Sequence, residues 1–139
     1  MTKYQFGEIE FFTADECQRT GADVAAIQYP LMLALDRFRK LVGCKVFILK
    51  NGLTSGNHRS KAHALGMAVD VTVEHERTPQ EIFKIAMKCG FDAVGVYHNT
   101  RAYSYHLGIH GMLSLWSATP YPDGSWKYGP LIVDPKASQ

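Results

Sequence analysis

Cysteine is scarce and badly placed for covalent or metal work. Cys17, Cys44 and Cys89 are odd in number, far apart and form no C-x-x-C pair, which argues against a disulfide framework and a thiolate metal site. All three read as packing residues, two within helical patterns and one opening an apolar run. The first residues, Met1-Thr2-Lys3-Tyr4-Gln5-Phe6-Gly7-Glu8, contain no apolar leader core, and no stretch is long enough to span a bilayer. The expectation is a chain made in the cytoplasm, outside the usual export route, with no membrane insertion. Charge of one sign is also lacking. The formal net charge is +2 and the basic residues are scattered, so nucleic acid is not expected as a partner. No internal repeat or low-complexity segment occurs. Acidic residues are missing altogether between Asp92 and Asp123, a gap that bears on the chemistry below.

What remains is the composition of an ordinary globular domain, 46% hydrophobic and 20% charged over 139 residues. That length closes one hydrophobic core and makes 1–139 a single domain, expected as a monomer. Thr13 with Glu16 forms a capping-box pattern that opens a short helix through Arg19, interrupted by Gly21. A longer helix follows. Pro30 suits its first turn, Leu31, Leu35, Phe38, Leu41 and Val42 recur at helical spacing, and Gly43 stops it. Asp36, Arg37, Arg39 and Lys40 fall between those positions and form the solvated face.

The run over 44–49 reads as a strand ended by Asn51-Gly52, and a polar loop, Thr54 to Lys61, comes next. A second strand is expected over 66–73, rich in β-branched residues, then a helix opened by Thr78-Pro79-Gln80-Glu81 and ended at Gly90. Two more strands, 93–97 and 103–109, are joined by the turn His98-Asn99-Thr100-Arg101-Ala102. The tail, with Trp116, Pro120, Pro122, Asp123-Gly124 and Trp126, reads as loops with room for one last hairpin. Helices first and strands pairing later point to an α+β layer fold.

Six histidines are available for chemistry: His58, His63, His75, His98, His106 and His110. His63 stands out because it closes the polar loop just before Leu65-Gly66, and Asp70 follows on the outgoing strand. Asp70 sits within Met67-Ala68-Val69 and Val71. A carboxylate in such a run must be paired, hydrogen-bonded or bound to a metal, because a bare buried charge is too costly.

The stretch Ser60-Lys61-Ala62-His63-Ala64-Leu65-Gly66-Met67-Ala68-Val69-Asp70-Val71 resembles the S-x-H-x-x-G-x-A-x-D pattern of a zinc peptidase family. That family contains D-Ala-D-Ala carboxypeptidases and phage L-alanyl-D-glutamate endopeptidases, and shares its fold with hedgehog signalling domains. Val94-Gly95-Val96-Tyr97 followed by Tyr103-Ser104-Tyr105-His106 is similar to the family's later ligand-bearing strand. The resemblance covers roughly residues 30 to 116. It implies one zinc ion held by His63, Asp70 and His106, and a small antiparallel sheet packed with helices around the zinc cleft. It also implies hydrolysis of peptidoglycan stem peptides, by endopeptidase or carboxypeptidase action. Two neutral imidazoles and one carboxylate would leave the zinc centre at a net charge of about +1, a strong Lewis acid. The small size and missing wall-binding module suggest a phage-type lysin acting at the bacterial cell wall, with delivery by another agent.

The chain departs from the family pattern in three places. Lys61 stands where the family serine precedes the histidine by two, with Ser60 one place further away. Ser55-Gly56-Asn57-His58-Arg59 is similar to a substrate-gripping S-G-x-R segment but shifted by one, which nominates Arg59 or His58, with Ser60, for substrate binding. The family's carboxylate base falls on Tyr103 or Gly108 here, so His110 and His98 become the candidate bases. His75, between Glu74 and Glu76, reads as a solvated turn. Tyr97, Tyr103 and Tyr105 read as core or cleft walls. Trp116 and Trp126 read as packing, with stacking on sugar rings as the alternative. The missing acidic base leaves a second possibility open, a non-catalytic zinc-binding domain of the same fold serving as a binding or virion structural module.

Overall fold

Why the long helix forms is visible in its ends and its stripe. α3 (Tyr29–Val42) has proline in its first turn and ends at Gly43, whose φ of 75° supplies the left-handed cap that a side chain would disfavour. Leu31, Leu35, Phe38 and Val42 form its fully buried stripe. Leu41, expected with them, is half exposed. The face expected to be solvated is partly occupied instead. The Asp36 carboxylate accepts hydrogen bonds from the backbone N–H groups of Glu10 and Phe11 at 3.0 and 2.8 Å, and the Arg39 guanidinium lies 4.6 Å from the Phe11 ring. The N-terminal segment is thereby strapped to this helix. It carries α1 (Lys3–Gly7), which closes its own capping box from Thr2 and Gln5, and α2 (Ala14–Arg19), where the Thr13 side chain accepts from Glu16 N–H.

The computed structural model describes residues 1–56, 58, 61–75, 77–99 and 102–130. After α3 come β1 (Val46–Ile48), β2 (Ala68–Val73), α4 (Pro79–Lys88, capped by Thr78), β3 (Ala93–His98), β4 (Tyr103–Gly108), β5 (Ser114–Pro120) and β6 (Trp126–Pro130). The fold is α+β, with a six-stranded sheet of order β1-β2-β4-β3-β5-β6. The tail read as loops with one hairpin is in fact that hairpin, joined to the sheet.

The expectation of a small antiparallel sheet needs correcting, because β3 and β5 are parallel. β4 already fills one edge of β3, so the chain leaving β4 crosses the start of β3 and lays β5 along its other edge. Backbone hydrogen bonds from Asp92 N–H to Gly108 O and from Ser114 N–H to Asp92 O mark the crossing.

The two faces of this sheet do different work, as the two-residue strand period requires. Val69, Val71, Val94, Val96, Tyr105 and Leu107 point to the helices and are buried in one core with Leu31, Leu35, Phe38, Ile82 and Ala86. The other face carries a row set by register: Asp70 opposite His106, His106 opposite Gly95, and Gly95 opposite Trp116. All three cysteines are buried free thiols in or beside the core, and burial pushes the Cys17 thiol up to about 12.

Gly66 ties the loop to the helices. Its φ is 72°, and a Cβ would collide with the backbone carbonyl of Ala26. Gly43 shares the left-handed backbone but has open space around it. Gly43→Ala is therefore expected to cost about 1–2 kcal/mol, the left-handed penalty alone, and Gly66→Ala more than that, read as the shift in denaturant midpoint. Equal losses would remove the steric role given to Gly66.

Candidate metal centre

Each side chain of the site is delivered by a different local device. β2 and β4 bring Asp70 and His106 directly opposite one another. Asp70 is held further by its backbone, since its N–H donates to Gly52 O at 2.8 Å and its carbonyl accepts from Leu49 N–H at 3.0 Å. His63 comes from the turn before β2, which closes through Gly66 N–H to His63 O at 2.9 Å and Met67 N–H to Ala62 O at 2.9 Å. The glycine of the motif thus ends the turn that carries the histidine.

The protons on these rings follow from their neighbours. Nδ1 of His63 lies 3.0 Å from the carbonyl of Leu53. A carbonyl only accepts, so Nδ1 carries the hydrogen and Nε2 is left bare. That bare nitrogen is 3.4 Å from Oδ1 of Asp70 and 3.2 Å from Nδ1 of His106. Nδ1 of His106 is in turn 3.3 Å from the same Oδ1. Tetrahedral zinc with bonds of about 2.0–2.1 Å separates its ligand atoms by about 3.3–3.4 Å. The three atoms therefore outline one face of such a tetrahedron.

Asp70 supplies the charge. Burial pushes its pKa up, but with a proton on the neighbouring His106 and His63 rings their pull outweighs burial and holds the carboxyl down at about 2. Its Oδ1 is buried and receives no hydrogen bond among the described residues. An ionised, buried and unsatisfied oxygen between two imidazole nitrogens is a place for a cation.

His58 stands beside this trio. Its Nε2 lies 2.7 Å from the carbonyl of Asn51 and 2.6 Å from that of Ser55, so Nε2 carries the hydrogen and donates. In the neutral ring Nδ1 is bare, 3.5 Å from Oδ2 of Asp70. His58, His63 and Asp70 are close enough together to hold a metal ion, and so are His63, Asp70 and His106. Ring orientation separates the two sets. His58 is stacked on His63, with centroids 3.6 Å apart and planes 13° from parallel, so their in-plane lone pairs run side by side. His63 and His106 are inclined at 69°, which lets theirs converge.

The remaining candidates fall out unequally. Nε2 of His110 lies 3.2 Å from Nε2 of His106. Partial burial, then the neighbouring His106, lowers the pKa of His110 against the opposing pull of Asp92. His98 does not join the cluster. It lies three residues along β3 from Gly95, the partner of His106, and that odd offset turns its side chain to the other face. Arg59 and Ser60 lie outside the described residues. His75 is exposed, next to Glu74.

The trio opens on a cleft of about 490 Å³ lined by His58, His63, Tyr97, His106, His110, Ser114, Trp116, Tyr128 and Gly129. These described lining residues include no carboxylate. Tyr97 reads from the sequence as a core or cleft wall, and the place of Trp116 beside it has a further signal in the isolated Gly95 within a strand. A Cβ there would run into the indole of Trp116, and its absence lets Trp116 lie 5.5 Å from the His106 ring. Tyr97 and Tyr128 pack against that indole at centroid distances of 5.2 and 5.4 Å.

Comparison with known proteins adds no relative, since no family model matches the chain and neither a curated protein nor a solved structure does.

Titration calorimetry with zinc separates the two ligand sets. Wild type is expected to bind one equivalent, and His63→Ala, Asp70→Asn and His106→Ala to lose it. His58→Ala is expected to lose no more than the roughly 10–100-fold typical of an outer partner. The reverse ranking of His58 and His106 would move the site to the His58 set.

Proposed function

We propose that this chain is a zinc-dependent peptidase that hydrolyses peptide bonds in the stem peptides of bacterial peptidoglycan. In this reading it belongs to the D-Ala-D-Ala carboxypeptidase and L-alanyl-D-glutamate endopeptidase type with the hedgehog/DD-peptidase fold, and acts at the cell wall as a phage-type lysin. One observation carries the reading. His63 Nε2, Asp70 Oδ1 and His106 Nδ1 form a face with zinc spacing, and they come from the residues that resemble the family pattern. Three protein ligands beside a cleft suit a catalytic rather than a closed structural centre. When bound, zinc supplies Lewis acidity to a scissile carbonyl and makes water at its open position more acidic.

The chain's own residues divide the other tasks. Hydrolysis needs a group that takes a proton from water and returns it to the leaving amine. His58 suits this best. Its Nδ1 is the bare nitrogen, and the two carbonyls on its Nε2–H stabilise the imidazolium that forms when the proton is taken up. His110 is less suited, because its Nε2 is already set against His106. Trp116, Tyr97 and Tyr128 form an apolar wall that orients the substrate and keeps water from the far side.

The lack of a carboxylate among the described cleft residues favours a second reading, a zinc-binding module that holds wall peptides without cutting them. Incubation with purified peptidoglycan, followed by mass spectrometry of new termini, decides between them. New amino and carboxyl termini are expected, and they should disappear with a chelator or with His63→Ala. His58→Ala should keep the metal and lose about 10²–10⁴-fold in rate, the usual worth of a general base. Wall binding without new termini would leave the binding module in place of the enzyme.

A further inference from the structure

Position 108 has no side chain, and the space one would take is filled from two residues further on. A Cβ on Gly108 would lie 2.5 Å from Nε2 and 2.7 Å from Cδ2 of His110, and 3.0 Å from Nε2 of His106. Gly108 is not among the glycines with positive φ, so its backbone does not require glycine. The contact between the two rings does.

His110 reaches that space from the crossing between β4 and β5, and one residue fastens the crossing on both sides of it. The Asp92 carboxylate accepts from His110 N–H through Oδ1 at 2.6 Å and from Gly111 N–H through Oδ2 at 2.8 Å. Its backbone N–H donates to Gly108 O at 3.1 Å, and its carbonyl accepts from Ser114 N–H at 2.8 Å. Asp92 thus holds the residues on either side of the His110 ring and leaves the ring facing the cleft.

A histidine that binds metal through one ring nitrogen almost always gives the other N–H to a partner, which fixes the tautomer and the plane of the ring. His106 turns Nδ1 to Asp70 and His63, so its Nε2 needs that partner. The partner it meets is Nε2 of His110, at 3.2 Å.

We propose that His110 is the outer hydrogen-bond partner that orients His106, and that Gly108 and Asp92 are the positioning residues that place it. The proposal rests on the reading of His106 as a metal ligand for its purpose, but not for the ring pairing itself. His110 is then a positioning residue and not the proton acceptor of the reaction. An imidazole ring occupies the cleft space that residue 108 would otherwise fill.

Two measurements test this, one without metal. In isotope-labelled, metal-free protein, a through-hydrogen-bond coupling between the two Nε2 nitrogens is expected in wild type. It should be lost in Gly108→Ala, where the colliding atoms are the free ends of rings that can swing away without unfolding the chain. Absence of the coupling in wild type, or its survival in Gly108→Ala, would overturn the pairing. In competition with a chelating dye, zinc affinity should fall about 10–100-fold in His110→Ala. Asp92→Ala should fall in the same direction. His110→Gln keeps an acceptor for the His106 N–H, and is expected within about threefold of wild type. A Gln variant as weak as the Ala variant, or an Ala variant as tight as wild type, would sink the orienting role. If wild type binds no zinc, the metal reading fails while the coupling still decides the pairing.

Discussion

Asp70 places a charge where the fold can least tolerate one. Its carboxyl is ionised at neutral pH and nearly buried, and one of its oxygens receives no hydrogen bond among the described residues. A bare carboxylate in such surroundings costs several kcal/mol, so its neighbourhood has to answer it. The geometry answers it with room for a cation between the carboxylate and the bare nitrogens of the neighbouring imidazoles, and with a backbone clamp on the other side. Gly52 belongs to that clamp. A Cβ there would come within 2.9 Å of the Asp70 carbonyl and 3.3 Å of its Cβ, so the close approach of loop to strand depends on its absence.

Site and core share one sheet, and that is why the site can be rigid. On one face the valines of β2 and β3 and Leu107 of β4 lock the strands to α3 and α4. On the other, the same strands present Asp70, His106 and, across the side-chain gap at Gly95, Trp116. Ligands carried on paired strands are held more closely than ligands carried on loops. His63 and His58 come from loops, and each is pinned by backbone carbonyls: Leu53 for the first, Asn51 and Ser55 for the second.

The histidines illustrate how one side chain takes several roles. In each case the nitrogen that faces away from the cluster sets the state of the nitrogen that faces it. Leu53 leaves His63 with a bare Nε2. Two carbonyls leave His58 with a bare Nδ1, but its stacking on His63 turns that nitrogen aside from a shared metal position. His106 faces His110 with its outer nitrogen. His98, similar in sequence context, is excluded by strand parity alone.

Some of this was legible along the chain because the interactions are short-range. Thr13, Pro30, Gly43, Thr78 and Pro79 mark helix ends through contacts within a turn, and the helices begin and end beside them. The apolar surroundings of Asp70 marked it as a charge needing a partner, and the spacing from His63 to Gly66 describes a turn that closes on itself. Other features depend on which strands meet. The parallel β3–β5 pair, the place of Trp116 beside His106, the inward position of His58 and the delivery of His110 into the space at Gly108 all join residues distant in sequence or held by a third segment. No local propensity encodes them. The sequence by itself determined α2, α3 and α4, the strands from β1 to β4 and the need of Asp70 for a partner. Which nitrogens face Asp70 was decided only by tertiary structure, because a ring's tautomer and direction are set by carbonyls and imidazoles that other segments bring to it.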